Sequence, residues 1–168
     1  MEKKRMNDKG FSLVELIIVI AIMAILIGLL APQYLKFVER SKKSADRDTV
    51  DEIFRAVQMD YADPESTKNV DNATITLKPD GAATVGGTNA TNLSDVLTSF
   101  GLSLSDMQLK SSKWKVAGTN TVAQTITITF KYENETVTAT VTANATTAAP
   151  VDDNGTSITG KATATPTT

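Results

Sequence analysis

The sequence predicts an α+β fold in which a long N-terminal α-helix packs on a small antiparallel β-sheet. Three observations support this prediction. Residues 16–31 are apolar without interruption. The residues behind them keep a helical periodicity to about residue 61. Apolar and polar side chains then alternate in several runs between residues 73 and 143, which indicates strands with one buried face and one wet face.

Composition limits the functions that the chain can have. Its 168 residues correspond to a single domain. It contains no cysteine and no histidine, so it has no disulfide, no thiolate metal ligand and no imidazole base. Its formal net charge of −2 does not indicate a nucleic-acid binder. We therefore expect no enzyme activity, no cofactor, no metal ion and no specific nucleic-acid partner.

A short basic leader precedes the apolar run. Within the first ten residues, four cations outnumber two anions: Lys3, Lys4, Arg5 and Lys9 against Glu2 and Asp8. About 20 apolar helical residues span the ~30 Å hydrocarbon layer of a bilayer, so the run is long enough to cross a membrane. The basic leader predicts a single-pass membrane protein whose N-terminus stays in the cytoplasm.

Three simpler interpretations of the apolar run stay open on hydropathy alone. A secretory signal peptide would need small residues at the far end of the run, where Leu30 and Ala31 precede Pro32. A buried helix of a soluble protein is usually shorter and less continuously apolar. A plain membrane anchor fits the hydropathy but leaves Glu15 unexplained, because a carboxylate at membrane depth costs roughly 2.5–3.5 kcal/mol.

The start of the apolar run carries a specific motif. The octapeptide KGFSLVEL at residues 9–16 places a glycine before a phenylalanine, with Glu15 following four residues after Phe11 and an unbroken apolar helix directly behind. This combination resembles the processing motif of type IV prepilins and the related pseudopilins. The resemblance extends over roughly the first 60 residues and implies a pilin-like fold.

The resemblance implies a maturation pathway. A prepilin peptidase would cut between Gly10 and Phe11 and methylate the new amine of Phe11, and Glu15 would then act in assembly. Glycine suits the cleavage site because its backbone can approach another protein closely. The implied partners are identical subunits in a homopolymer, the peptidase, the pilus assembly platform with its ATPase, and the membrane before assembly.

Gly28 and Pro32 mark the end of the apolar run. Proline removes a helical hydrogen bond and glycine weakens the same turn. The resemblance implies that the helix bends here or melts on assembly. The alternative is that Gly28 and Pro32 merely mark the membrane exit.

Beyond Pro32 the predicted helix becomes charged and amphipathic, and it ends before Pro64, which disfavours helix in the preceding residue. Its predicted apolar face consists of Tyr34, Val38, Ala45, Ile53, Val57 and Tyr61. Acids and bases are mixed over the other positions, among them Asp46. This mixture indicates a solvated or intersubunit face.

Short strands and one helix are predicted after residue 62. Residues 73–78 and 82–85 form a hairpin across a Pro-Asp-Gly turn. Asn92 caps a helix that runs through Phe100 and stops at Gly101. Strands also follow at Trp114 to Val116 and in two longer runs, residues 126–132 and 137–143.

The last 25 residues are expected to be a flexible tail, since they contain few apolar side chains. Asp152 to Gly155 form a turn in this tail, because the ligand spacing of a calcium loop is absent. The predicted organisation is a cleaved leader (1–10), a transmembrane or filament-core helix (11–31), an amphipathic helix (32–62), a globular region (63–143) and the tail (144–168).

The expected function is that of a structural subunit of a type IV pilus, membrane-bound before assembly and displayed on the surface of a bacterial cell afterwards. The alternative within the same family is a pseudopilin of a type II secretion or DNA-uptake apparatus. A membrane-anchored enzyme or binding sensor is a third class. The sequence disfavours this third class, because the chain lacks histidine, cysteine and a pair of acids set in a strand framework.

Overall fold

The computed structural model describes residues 12–133, 136–144, 146–152 and 154–158. Gly10 and Phe11 lie outside this range. The chain divides after Val38 into two compact units. We call the unit from residue 39 onward the head.

A single long helix, α1, spans Leu13–Ala62. Its extent confirms the helix expected from the periodicity, and it ends two residues before Pro64. Pro32 lies inside α1 without interrupting the helical assignment, although a proline there cannot donate to the carbonyl of Gly28. The proposed bend or melting at this turn stays a prediction.

The described part of the first unit contains Ser12 and α1 up to Val38. Every residue from Ser12 to Phe37 is exposed, and the exposed fractions of its large apolar side chains run from 42% at Val19 to 73% at Leu13. By length and composition, α1 can cross a membrane. Lipid or other protein must therefore cover these side chains.

Besides the second half of α1, the described residues of the head form six strands and a second helix. In chain order these are β1 (Ala73–Leu77), β2 (Thr84–Gly87), α2 (Ala90–Ser99), β3 (Lys115–Val116), β4 (Ile126–Glu133), β5 (Thr136–Ala143) and β6 (Pro150–Val151). Four strands form an antiparallel sheet in the order β2-β1-β4-β5, and β3 pairs with β6. A long apolar helix with an antiparallel sheet confirms the predicted α+β, pilin-like architecture.

Alternation along the strands builds the core of the head. Ile75 of β1 and Ile128 of β4 are fully buried and are paired in register, while threonines occupy most intervening positions. Phe130 meets Phe54 of α1 edge to face, with ring centroids 6.0 Å apart. The apolar face of the sheet thus packs on the second half of α1, as predicted.

The buried face of α1 begins later than predicted. Tyr34 is 66% exposed, and burial starts at Lys43 and continues through Val50, Ile53, Phe54, Ala56, Val57 and Asp60. The predicted face followed helical periodicity beyond the stretch of α1 that packs into the head. Periodicity shows which residues share a face, but it does not show where a partner surface begins.

Two local predictions in the head need correction. Helix α2 begins at Ala90, so Asn92 lies inside it, and the Nδ2 atom of Asn92 donates to the carbonyl of Asn69. Strand β2 covers Thr84–Gly87 and so begins two residues later than predicted. Asn92 holds a neighbouring loop, a long-range contact that a capping pattern in the sequence does not reveal.

Part of the expected tail is folded onto the head. Strand β6 pairs with β3, Ile158 is buried, and the Asp152 carboxylate forms an ion pair with Arg47. Backbone pairing and the buried side chains of Pro150 and Ile158 hold this segment despite its polar composition. Residues 159–168 lie outside the described range.

Gly87 ends β2 opposite Ala73, at the open end of the β1–β2 hairpin, and gives a test of this register. Its φ is +87°, and a Cβ there would lie 2.0 Å from the carbonyl oxygen of Asn72. Gly81 also has a positive φ, +108°, but a Cβ there meets no atom within 4 Å. We expect Gly87→Ala to destabilise the head by about 2 kcal/mol or more and Gly81→Ala by about 1 kcal/mol. Urea unfolding measures both, and equal losses would contradict the close approach at Gly87.

Candidate functional site

Glu15 lies in the first turn of α1. Its Oε2 atom accepts a hydrogen bond from the backbone N–H of Ser12 at 2.9 Å, and the Ser12 hydroxyl accepts one from the N–H of Val14 at 3.4 Å. A serine before a helix followed three residues later by glutamate is the sequence pattern of a capping box. The pattern is visible in the sequence, but the sequence analysis missed it.

The surroundings of Glu15 are apolar. From Leu16 to Pro32, α1 carries no charged side chain, and all of these residues are exposed. A carboxylate at the start of such a segment is costly in hydrocarbon unless it lies at the interface or gains a partner. Among the described residues up to Pro32, Glu15 is the one acid. A charged partner would therefore lower the cost of a buried charge most at this position.

Of the other predicted site residues, the structure describes Gly28 and Pro32. Gly10 and Phe11 lie outside the described residues. Gly28 is in mid-helix, and a Cβ there would meet no atom within 4 Å. Packing within the described chain therefore does not require glycine at this position, so the role of Gly28 and Pro32 in bending stays a prediction.

A buried polar cluster within the head ties the second half of α1 to the segment before β3. Asp46, predicted to lie on a mixed charged face, is instead fully buried. Its carboxylate accepts hydrogen bonds from the backbone N–H of Lys110, from the N–H of Ser111 at 3.1 Å and from the indole N–H of Trp114 at 2.8 Å. Three donors thus surround one acid, and α1 is tied to the segment before β3.

Two cations of α1 flank the Trp114 ring. Lys43 Nζ lies 5.5 Å and Arg47 Cζ 5.4 Å from its centroid, within cation–π range. Arg47 also donates to Asp152 at 2.7 Å. Hence Trp114 and Arg47 join three separate parts of the chain: α1, the segment before β3 and the segment after β6.

The pKa values of Asp46 and Asp152, the two acids of this cluster, shift in opposite directions. Burial raises the pKa of Asp46 above its usual value, against the hydrogen bonds from Trp114, Lys110 and Ser111. For Asp152, partial burial acts in the same direction, but hydrogen bonds from Arg47 and from the N–H groups of Thr156 and Asn154 outweigh it and lower the pKa. The charged Asp152 carboxylate thus holds the segment after β6 to Arg47. It does not project towards solvent as a binding group.

Within residues 12–158, apart from the undescribed positions, no group of three His, Cys, Asp or Glu side chains is placed to hold a metal ion. The donors on Asp46 come from its own chain and enclose it. The arrangement therefore fixes the segment before β3 to the second half of α1. Most of the exposed large apolar side chains among the described residues lie in the first unit.

Together, a membrane-length apolar helix, a capped acid in its first turn and a small antiparallel head define a pilin-like α+β protein. Residues 5–31 match the family described as the prokaryotic N-terminal methylation motif. The N-terminal segment of the chain is therefore type IV prepilin-like.

One similar curated protein extends this result. The chain is 36% identical over 75 residues to "Prepilin peptidase-dependent protein A" of Clostridium perfringens (strain 13 / Type A), an alignment that covers 45% of this chain. The chain spans about half the length of that relative, 54%. No solved structure gives a significant match.

Asp46 gives the sharpest test of the anchoring cluster. In Asp46→Asn the amide has one acceptor oxygen for three converging donors, so a buried N–H loses its partner, at a cost of about 1–3 kcal/mol. Asp48→Asn is the matched control, because Asp48 lies on the same helix and is exposed. We expect it to change the free energy of unfolding by less than about 0.5 kcal/mol. Similar losses in the two variants, measured by urea unfolding, would refute the anchoring role.

The lowered pKa of Asp152 predicts a pH dependence with a defined sign. The native state holds this carboxylate in its charged form, so its contribution is present above the usual aspartate pKa and is lost as the pH falls through the lowered value. Asp152→Asn should therefore reduce thermal stability near neutral pH, and the difference from the unmodified chain should shrink in strong acid. Partial exposure keeps the effect to about 1 kcal/mol. A difference that grows on acidification would contradict the Arg47 ion pair.

Proposed function

We propose that the chain is a structural subunit of a type IV pilus, made as a membrane-bound precursor and polymerised through α1 into a surface filament. One observation supports this function above all others. The described part of α1 up to Phe37 is exposed and almost wholly apolar, with a single acid in its first turn. Such a surface leaves lipid only for another apolar environment, and a bundle of identical helices supplies one.

Processing between Gly10 and Phe11 is the first step of this proposal. The methylation motif at residues 5–31 and the peptidase-dependent relative support it. Cleavage there would remove the basic leader and leave a positively charged amine on Phe11, about one helical turn from Glu15. That amine is absent from the precursor, so cleavage would create a cationic partner for Glu15, whose carboxylate otherwise accepts the N–H of Ser12.

Pairing between Glu15 and the Phe11 amine of a neighbouring subunit is the second step. Two unit charges ~4 Å apart attract by ~4 kcal/mol at an effective dielectric of 20, against ~1 kcal/mol in water. Desolvation offsets much of this attraction, but a lone charge left in an apolar filament core costs several kcal/mol. Unpaired charges in subunits that are out of register therefore cost more free energy than the ion pair gains in subunits that are in register.

Cleavage is tested by mass spectrometry of the mature protein. We expect Phe11 as the N-terminal residue, carrying one methyl group, when the chain is expressed with a prepilin peptidase. Gly10→Leu should leave the precursor intact, because a bulky side chain blocks close approach at the scissile bond. An intact leader on the unmodified chain, or a cut near Ala31, would overturn the proposal.

Assembly is tested by the yield of fibres sheared from cells. Glu15→Ala should be processed and inserted normally yet give about tenfold fewer fibres, since ~1.4 kcal/mol per contact already corresponds to a factor of ten. Glu15→Asp should retain part of the yield, because the charge stays but its reach is shorter. Equal yields from Glu15→Ala and the unmodified chain at equal protein levels would exclude the pairing.

Fibre formation at native expression also distinguishes a pilus subunit from a pseudopilin. Long fibres on cells at native expression support the pilus subunit. Their absence at native expression, with processing intact and secretion or DNA uptake lost on deletion, would favour the pseudopilin.

A further inference from the structure

Strand β5 lies at one edge of the four-stranded sheet, where β4 is its one neighbour among the described strands. Just after β5, the N–H of Asn144 donates to the carbonyl of Thr125, beside β4. The N–H of the residue before it, Ala143, donates instead to the carbonyl of Ala148. Backbone groups alternate in direction along an antiparallel strand, so every second residue of β5 directs its N–H and C=O away from β4. Before Ala143, these residues are Val137, Ala139 and Val141.

The backbone groups on this outer edge of β5 have no hydrogen-bond partner in the part of the chain that the structure describes. A second extended strand would satisfy all of them at once. Charged residues, proline and short length usually protect an edge strand, but Thr136–Ala143 contains eight residues with no charge, no proline and no glycine. The opposite edge of the sheet, β2, has four residues, of which two are glycines. The outer edge of β5 is therefore the one suited to pairing.

The sequence of β5 is symmetric about Ala139. Residues 136–142 read TVTATVT, which is the same in both directions. In an antiparallel pair of two β5 strands centred on Ala139, each side chain therefore faces one of its own type, threonine opposite threonine and valine opposite valine. Cross-strand pairs of β-branched residues stabilise sheets. The same alignment places the three outward-facing residues of one strand opposite those of the other, so backbone and side chains select one register.

We propose that β5 is a self-association edge, which pairs antiparallel with β5 of a second copy of this chain in the register centred on Ala139. Residues in hydrogen-bonded pairs of an antiparallel ladder exchange both of their backbone bonds. The contact would therefore extend the four-stranded sheet of each copy into that of the other.

The symmetry of this contact indicates where it acts. A contact between identical surfaces needs a two-fold axis, whereas subunits that follow one another along a helical filament are related head to tail. Under the proposed function, on which this step rests, the β5 contact therefore joins subunits of two different fibres. A single strand pair is weak, but many pairs repeated along two fibres strengthen one another through multivalency. The contact would hold fibres side by side.

Disulfide trapping tests the β5 pair on the full chain in detergent micelles, where neither cleavage nor fibre assembly is needed. The chain has no cysteine of its own. In the proposed register Thr138 of one copy faces Thr140 of the other, at a position where opposite side chains are closest. Under mild oxidation, a mixture of Thr138→Cys and Thr140→Cys chains should give about fivefold more cross-linked dimer than either variant by itself, because a disulfide requires close Cβ atoms.

Two results of the trapping experiment would overturn the proposal. The first is equal cross-linking, or none, in the mixture and in the separate variants. The second is cross-linking that appears only after residues 159–168 are removed, since the chain's own C-terminal segment would then be the occupant of the edge.

Lateral association of fibres is tested with a lysine on β5. Thr140 is exposed, and a lysine on an edge strand opposes pairing, so we expect Thr140→Lys to give about fivefold fewer bundled fibres in electron micrographs. Thr84→Lys is the matched control, because Thr84 is exposed on β2 at the opposite edge, and it should leave bundling unchanged. Separate fibres in the unmodified chain, or equal bundling in the two variants, would overturn the role between fibres. If no fibres form at all, the pilus function fails, and disulfide trapping still decides the β5 pair.

Discussion

The exposed apolar surface of α1 is the constraint on which the rest of this protein depends. Fully burying a valine, leucine or isoleucine side chain gains about 1.5–3 kcal/mol, and the first unit exposes many of them. No stable state leaves such a surface in water. Under the proposed function, lipid would cover this surface in the precursor and sister subunits would cover it in the filament.

The head differs from the first unit, because it buries most of its large apolar side chains in its own core. Its core is closed by the sheet on one side of α1 and by a cluster centred on Asp46 and Trp114. A buried acid is rarely the cheapest way to gain stability. Its advantage here is that three directional hydrogen bonds specify where the segment before β3 docks on α1. Such bonds matter in a protein that has few large aromatic side chains to fix its packing, since its aromatic content is only 5%.

Local patterns predicted most of the fold, and long-range contacts account for what they missed. Helical periodicity gave α1, and alternation gave β4 and β5, because each signal is carried by neighbouring residues. The burial of Asp46 depends on Trp114, 68 residues away, and the folded segment around Asp152 depends on Arg47, 105 residues away. Neither contact leaves a local pattern. The cap between Ser12 and Glu15 is different, since its signature lies within four residues and could have been predicted.

Cryo-electron microscopy of fibres sheared from cells tests the central claim most directly. The account predicts that the α1 segments up to Phe37 pack against one another along the fibre axis with the heads outside. The Glu15 carboxylate should lie within hydrogen-bonding distance of the Phe11 amine of a neighbouring subunit. Fibres held together by the heads alone, with these apolar segments facing solvent or lipid, would contradict it.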